Sequence, residues 1–241
     1  MAVEAFPPDR VDLELPGAVT MAELVSDYLR RVVHRGELGP GDRLPAERQL
    51  AVTLSVGRVT LRESLQELED QGYITRRRGV TGGAFVTDLT RPFDAWRARV
   101  ARDRASLVEL WDLREAVEVE IARLAAARRD EDDLAALEAT DDHLRGTSSR
   151  AEFRRADLQF HGHLATAARS RRLATLMYST RGELFSPVEP NVVRARVRRA
   201  AEGHARVIAA VRVRNANAAE EAMRAHLRTA RAEMLKALGM R

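Results

Sequence analysis

The sequence predicts a mainly α protein in two parts: an N-terminal winged helix-turn-helix and a C-terminal antiparallel bundle of six or seven helices. Three observations carry this expectation. Residues Leu44 to Phe85 read as helix, tight turn, helix and a glycine-tipped basic hairpin. From about Ser106 onward, apolar residues recur at helical spacing. Aromatic residues make up only 5% of a chain that is 45% hydrophobic, which favours Leu, Ala and Val packing between helices over a β-sandwich.

Taken in order, residues 1–17 form a loose, acidic, proline-broken tail. Val19 to Gly36 is an amphipathic helix, with Met21, Leu24, Val25, Tyr28, Leu29 and Val32 on its apolar face. Gly39-Pro40-Gly41-Asp42 is a turn. Pro45-Ala46-Glu47 opens a short helix: proline's missing N–H would be unpaired in a first turn, and glutamate complements its positive end. Leu50, Ala51 and Leu54 give that helix one apolar face, and Ser55-Val56-Gly57 breaks it. A second helix runs from about Arg58 to Gln71, with Leu61, Leu65 and Leu68 facing inward and Gly72 ending it. Tyr73-Ile74-Thr75 and Ala84-Phe85-Val86 are strands of one hairpin.

This winged domain covers residues 18–88. A linker, 89–104, includes a short helical piece with Phe93, Trp96 and Val100 on one face. The helical domain covers 105–241. Its stripes are Leu107, Leu110, Val117, Ile121 and Leu124; then Leu134, Leu137 and Leu144; then Phe153, Phe160 and Leu164. Leu173 to Leu184 is the next helix, and Ser186-Pro187 and Glu189-Pro190 interrupt. Val192 to Arg214 resumes in one piece or two, with Gly203 as a weak point. Asn217 caps a last helix carrying Met223, Leu227 and Met234, with Glu220 as its reciprocal partner.

The 241 residues suffice for two ordinary domains, and the net charge of +4 is modest. Cysteine is absent, so no disulfide framework exists. No run of about 18 apolar residues and no signal peptide is evident. A cytoplasmic protein without a membrane partner is expected.

Two constellations carry chemistry. On the second helix, Arg58 and Arg62 are four apart and project opposite the leucines, with Thr60 between them. Guanidinium forks match phosphate oxygens and guanine edges, so the start of this helix suits a major groove. Arg48 on the preceding helix reaches the nearby backbone, and Arg76 to Gly79, including Arg78, place charge at a hairpin tip suited to the minor groove. In the bundle, Asp157 and His161 share a helix face, while His204 and His226 lie on two later helices that can converge with it. One carboxylate and three imidazoles suit a divalent transition metal such as Zn, Ni or Mn, with positions left for water or an acid. His34, His143 and His163 are assigned to packing or surface.

The segments LPAERQLA, GRVTLRESLQELEDQGYI and RRRGVTGGAFV resemble the GntR family of bacterial repressors. That resemblance implies operator contacts from Arg48, Arg58, Thr60, Arg62 and wing-tip Gly79. Two positions depart from the family pattern: Gly57 replaces the usual capping Ser or Thr, and Val59 replaces a small polar residue. The segments LWDLREAVEVEIARLAA, DLQFHGHLA, GHARVIAAVR and NAAEEAMRAHL resemble the FadR-type effector domain. In its metal-binding branch the ligands fall at Asp157, His161, His204 and His226, and Arg114 faces the same cavity. Arg114 would then hold a small carboxylate effector whose other oxygen sits on the metal; an intrahelical pair with Glu118 is the alternative. Ala168-Arg169-Ser170 departs from a Ser-Gly-Asn turn common in relatives.

The resulting expectation is a homodimeric transcriptional repressor, not an enzyme, that binds a palindromic double-stranded operator under control of a small organic acid. Two rivals are a metal-dependent hydrolase, for which no dedicated general base stands beside the ligands, and a non-specific architectural DNA binder.

Overall fold

The computed structural model describes residues 19–79, 82–185 and 193–240. The expected tail, the wing-tip residues 80 and 81, and the Ser186-Pro187 and Glu189-Pro190 breaks lie outside the described residues. Helix α1, Met21–Arg35, starts where Thr20 and Glu23 cap each other reciprocally and stops at Gly36 with φ 85°. Helices α2, Glu47–Thr53, and α3, Arg58–Asp70, follow. Strands β1, Ile74–Arg77, and β2, Gly83–Val86, pair antiparallel with Ile74 opposite Val86. Six further helices after the bridging α4, Thr90–Arg102, make the bundle: α5, Arg104–Arg128; α6, Glu131–Gly146; α7, Arg150–Ala167; α8, Arg171–Glu183; α9, Val193–Arg212; and α10, Ala216–Ala237.

Val25, Leu29, Leu50, Leu61, Leu65, Leu68, Ile74 and Val86 form the core of the winged domain. The predicted α1 stripe is corrected in part: Met21, Leu24 and Tyr28 are exposed, while Val33 joins the core. The buried face is rotated because α3 packs on one side of α1 and α8 packs on another. At α3, Gly57 provides no side-chain cap. The linker is mostly helical, and Trp96 and Val100 are buried in it.

Most of the bundle's core comes from the predicted stripes, including Leu137, Phe160, Leu164, Val207, Met223 and Leu227. Two expectations are corrected. Helix α9 runs through Gly203 without a break. Helix α10 is capped by Asn215, whose side chain accepts from Ala218 N at 3.0 Å; Glu220 instead pairs with Arg224 at 2.8 Å. Arg214, at φ 55°, turns the chain just before, so the helix begins two residues earlier than expected. Arg169 also adopts φ 53°, a left-handed conformation that favours glycine, and it is ion-paired to Asp130 at 2.5 Å and Asp133 at 2.7 Å. No described helix is long and apolar enough to cross a membrane.

The two domains meet where α1 packs on α8. His34 Nδ1–H donates to the Gly182 carbonyl at 3.0 Å, and its Nε2 accepts from the Tyr73 hydroxyl at 2.8 Å. The ring stacks on Phe185 with centroids 4.5 Å apart. The assignment of His34 to packing therefore fits, and the packing is interdomain. A Cβ at Gly182 would stand 2.8 Å from Arg31 Cβ, so glycine permits the close approach.

Leu65→Ala should lower unfolding free energy by about 2–5 kcal/mol, read from denaturant melts. Burial, aided by Arg154, pushes His34 down to about 3, whereas an unfolded histidine titrates near ~6.5. The unfolded chain binds more protons between those values, so stability should fall as pH drops through that window. Melts of chelator-treated protein at neutral and mildly acid pH check this, and His34→Asn should lessen the dependence, leaving the part due to His161 and His226.

Candidate metal centre and nucleic-acid interface

The bundle brings Asp157, His161, His204 and His226 together: one ligand atom from each lies within 4.8 Å of all the others. Asp157 and His161 come from α7, His204 from α9 and His226 from α10. His204 Nε2 lies 3.5 Å from Asp157 Oδ1, and His161 Nε2 lies 3.9 Å from the same oxygen. His226 is 4.9 Å from His204 and 5.4 Å from His161 between ring centroids. All three imidazoles are buried. His161 Nε2 and both nitrogens of His204 have no hydrogen-bond partner. Orphaned buried nitrogens converging on one carboxylate suit a cation better than a packed core.

Orientation comes from groups behind the ligands. His161 Nδ1–H donates to Glu118 Oε2 at 2.5 Å, which leaves the lone pair on Nε2 facing Asp157. Asp141 Oδ1 stands 3.6 Å from His204 Nδ1. Phe160 stacks on His204 at 3.6 Å. A Cβ at Gly203 would collide with His226 Nδ1, so the residue expected to weaken α9 is what lets that ring approach.

Glu118, only 1% exposed, is surrounded by cations. Arg114 donates to it at 2.6 Å, and Arg181 donates at 3.2 and 3.3 Å while also reaching Asp157 at 3.0 Å. Burial acts to raise both carboxyls, but Arg114, Arg181 and His161 hold Glu118, and Arg181 and the histidines hold Asp157, well below the usual range. Burial and Arg181 push His161 down to about 4, and burial with its neighbouring imidazoles pushes His226 well down. At neutral pH the carboxylate is charged and these two rings are neutral, the forms that ligate metal.

Arg114 makes the intrahelical pair with Glu118, the alternative considered for it, and also lines a cavity with Asp157, Arg181 and His226. Glu118 as an anchor, Arg181 and Asp141 were not singled out by sequence reasoning. A signal existed for the first: Arg114 and Glu118 interrupt an apolar stripe running from Leu110 to Ile121.

In the winged domain, Arg48, Arg58 and Arg62 are exposed and line one surface depression with Glu47 and Leu61. Arg62 touches Glu47 at 3.3 Å yet stays 68% exposed, so an incoming anion can compete for it. Thr60 is half-buried at the start of α3, and Val59 is exposed. Arg78 and Gly79 are exposed, Gly79 at φ 104°. The other two wing arginines are engaged: Arg76 bonds Glu69 at 2.7 Å and also Gln66, and Arg77 lies over the Phe85 ring.

Residues 21–86 match the family described as bacterial regulatory proteins, gntR family, and residues 109–229 match the FCD domain. A helix-turn-helix regulator of Mycobacterium tuberculosis, itself uncharacterised, is 35% identical over 175 residues, covering 70% of this chain and 67% of its own. The regulator LutR of Bacillus subtilis is 28% identical, covering 81% of this chain and 93% of its own. The Uxu operon regulator of Escherichia coli is 29% identical, covering 88% and 86%. The chain spans about two thirds of the length of the first curated relatives, 67%, 64% and 64%. Among solved structures, Escherichia coli McbR/YncC superposes with a TM-score of 0.56 at 16% identity, covering 91% of this chain and 99% of that one, a likeness of fold. The family and these relatives are transcriptional regulators rather than enzymes. The chain belongs to the GntR family of DNA-binding transcriptional regulators, in the FadR-type branch that joins a helix-turn-helix to an FCD domain.

Proposed function

We propose that this regulator acts as a homodimeric repressor on a palindromic operator and is controlled by a small carboxylate bound beside a divalent metal. Arg48, Arg58, Thr60, Arg62, Arg78 and Gly79 are the operator-contacting residues in this reading. Asp157, His161, His204 and His226 are the metal ligands, and Arg114 binds the effector. A metal ion there would act as a Lewis acid that fixes one carboxylate oxygen.

The observation that carries the reading is the meeting of orphaned imidazole nitrogens with a charged carboxylate beside a cavity lined by Arg114. The same cavity is lined by His34, the residue that joins α1 to α8. An acid seated there adjoins the contact on which the winged domain rests, so differential binding to two domain arrangements would shift operator affinity. A two-fold dimer supplies paired recognition helices, since one winged unit has few base contacts.

Selection of genomic fragments by the protein, followed by gel shift, tests operator recognition. Replacing both Arg58 and Arg62 by alanine should reduce specific affinity by about 100-fold or more, because each good base or phosphate contact is worth ~1–3 kcal/mol. The melting curve should barely move; full retained binding would reject the assignment. Zn, Ni or Mn at about 100 times its dissociation constant should stabilise the chain by about 2.7 kcal/mol. His204→Ala and His226→Ala should abolish that gain and lower metal content on elemental analysis.

A further inference from the structure

Among the described residues, the cavity beside the metal-ligand cluster is lined by six arginines and two carboxylates, Asp157 and Glu233. Besides Arg114 and Arg181 it is lined by Arg154, Arg196, Arg199 and Glu233. Arg196 lies 3.4 Å from Glu233, and Arg199 bonds the same carboxylate. Arg154 has no carboxylate within ion-pair distance among the described residues. Its head makes a 3.5 Å hydrogen bond to the Val33 carbonyl and lies over the Phe185 ring at 5.9 Å. Burial, with Arg150 and Arg196 near, pushes its guanidinium down to about 9, the mark of a cation short of counter-charge. Buried charges are ordinarily paired.

Position makes the excess useful. Arg154 and Asp157 are three apart on α7, so they share a face about one turn, ~4.5 Å, apart along the axis. A ligand anchored by one carboxylate at the metal cluster and Arg114 would extend toward Arg154. We infer that the effector is a dianion, with one carboxylate at the cluster and a second carboxylate or phosphate held by Arg154. The inference rests on the metal and carboxylate reading above and names the chemical class of its ligand. Because Arg154 also bonds the last turn of α1, the second anionic group sits at the contact between domains.

Calorimetry on the full, metal-loaded chain tests this with acids matched in carbon skeleton: 2-hydroxybutyrate against malate, gluconate against glucarate, and glycerate against 3-phosphoglycerate. In at least one pair the dianion should bind roughly tenfold tighter or more, as a charge-assisted hydrogen bond implies. Preference confined to 3-phosphoglycerate assigns a phosphate; preference for malate or glucarate assigns a carboxylate. Arg154→Gln should bring the pair within about twofold by weakening the dianion far more than the monoanion, and Arg154→Lys should keep part of the preference. Metal-dependent monoanion binding with no dianion preference overturns the inference alone, as does a preference that survives Arg154→Gln. If no acid binds in a chelator-sensitive way, the metal and carboxylate reading falls, and this inference with it.

Discussion

A single buried carboxylate, Glu118, sets the geometry of the bundle's interior. It is the acceptor for Arg114, Arg181 and His161 at once. A lone carboxylate taken out of water is costly, and only close, well-aligned cations offset that cost. Each partner is thereby fixed. Arg114 is held on the cavity wall, Arg181 is aimed at Asp157, and His161 is held in the tautomer that turns its lone pair inward. The ligand set is therefore preorganised by a charge network in which His161 and Asp157 are themselves held.

Helix α8 carries that network to the DNA-binding half. Arg181 reaches Glu118 and Asp157 from one side of the helix, while the next two residues face α1: the Gly182 carbonyl accepts from His34, and Glu183 lies 3.4 Å from Arg31. Trp96 of α4 donates to the Glu183 carbonyl at 3.1 Å, so the bridging helix is tied to the same turn. Close packing around Phe185, which touches His34, Phe93 and Trp96, leaves little room for these elements to move separately. Arg181 and the contacts that α8 makes with α1 and α4 thus lie within three residues of one another.

Much of the fold was legible because local physics agreed with tertiary demand. The leucine seam of α3, the glycine at its end and the paired strands were read from spacing and turn chemistry, and the four ligand candidates followed from helical periodicity and resemblance to a family. What failed did so for identifiable reasons. Two asparagines, Asn215 and Asn217, can each cap α10, and the positive φ of Arg214 selects the first. Met21, Leu24 and Tyr28 are apolar yet exposed, because periodicity finds an apolar face without saying how wide a strip its neighbours cover. Gly203 was read for its weak helix propensity, whereas its role is to make room for a ring on another helix.

The amino-acid order alone determined the mainly helical class, the winged unit ahead of a bundle, and which residue types were available to bind an anion or a cation. These follow from periods of two and 3.6 residues, caps and charge spacing, all of which act over one or two turns of chain. Only the tertiary structure decided that Glu118, Arg181 and His161 share a buried charge, that Gly203 and His226 touch, and that Arg154 lines the cavity with no carboxylate within ion-pair distance among the described residues. Those relations join residues up to 63 positions apart on different helices, as Glu118 and Arg181 are. Their energies depend on burial, which exists only after the helices have packed.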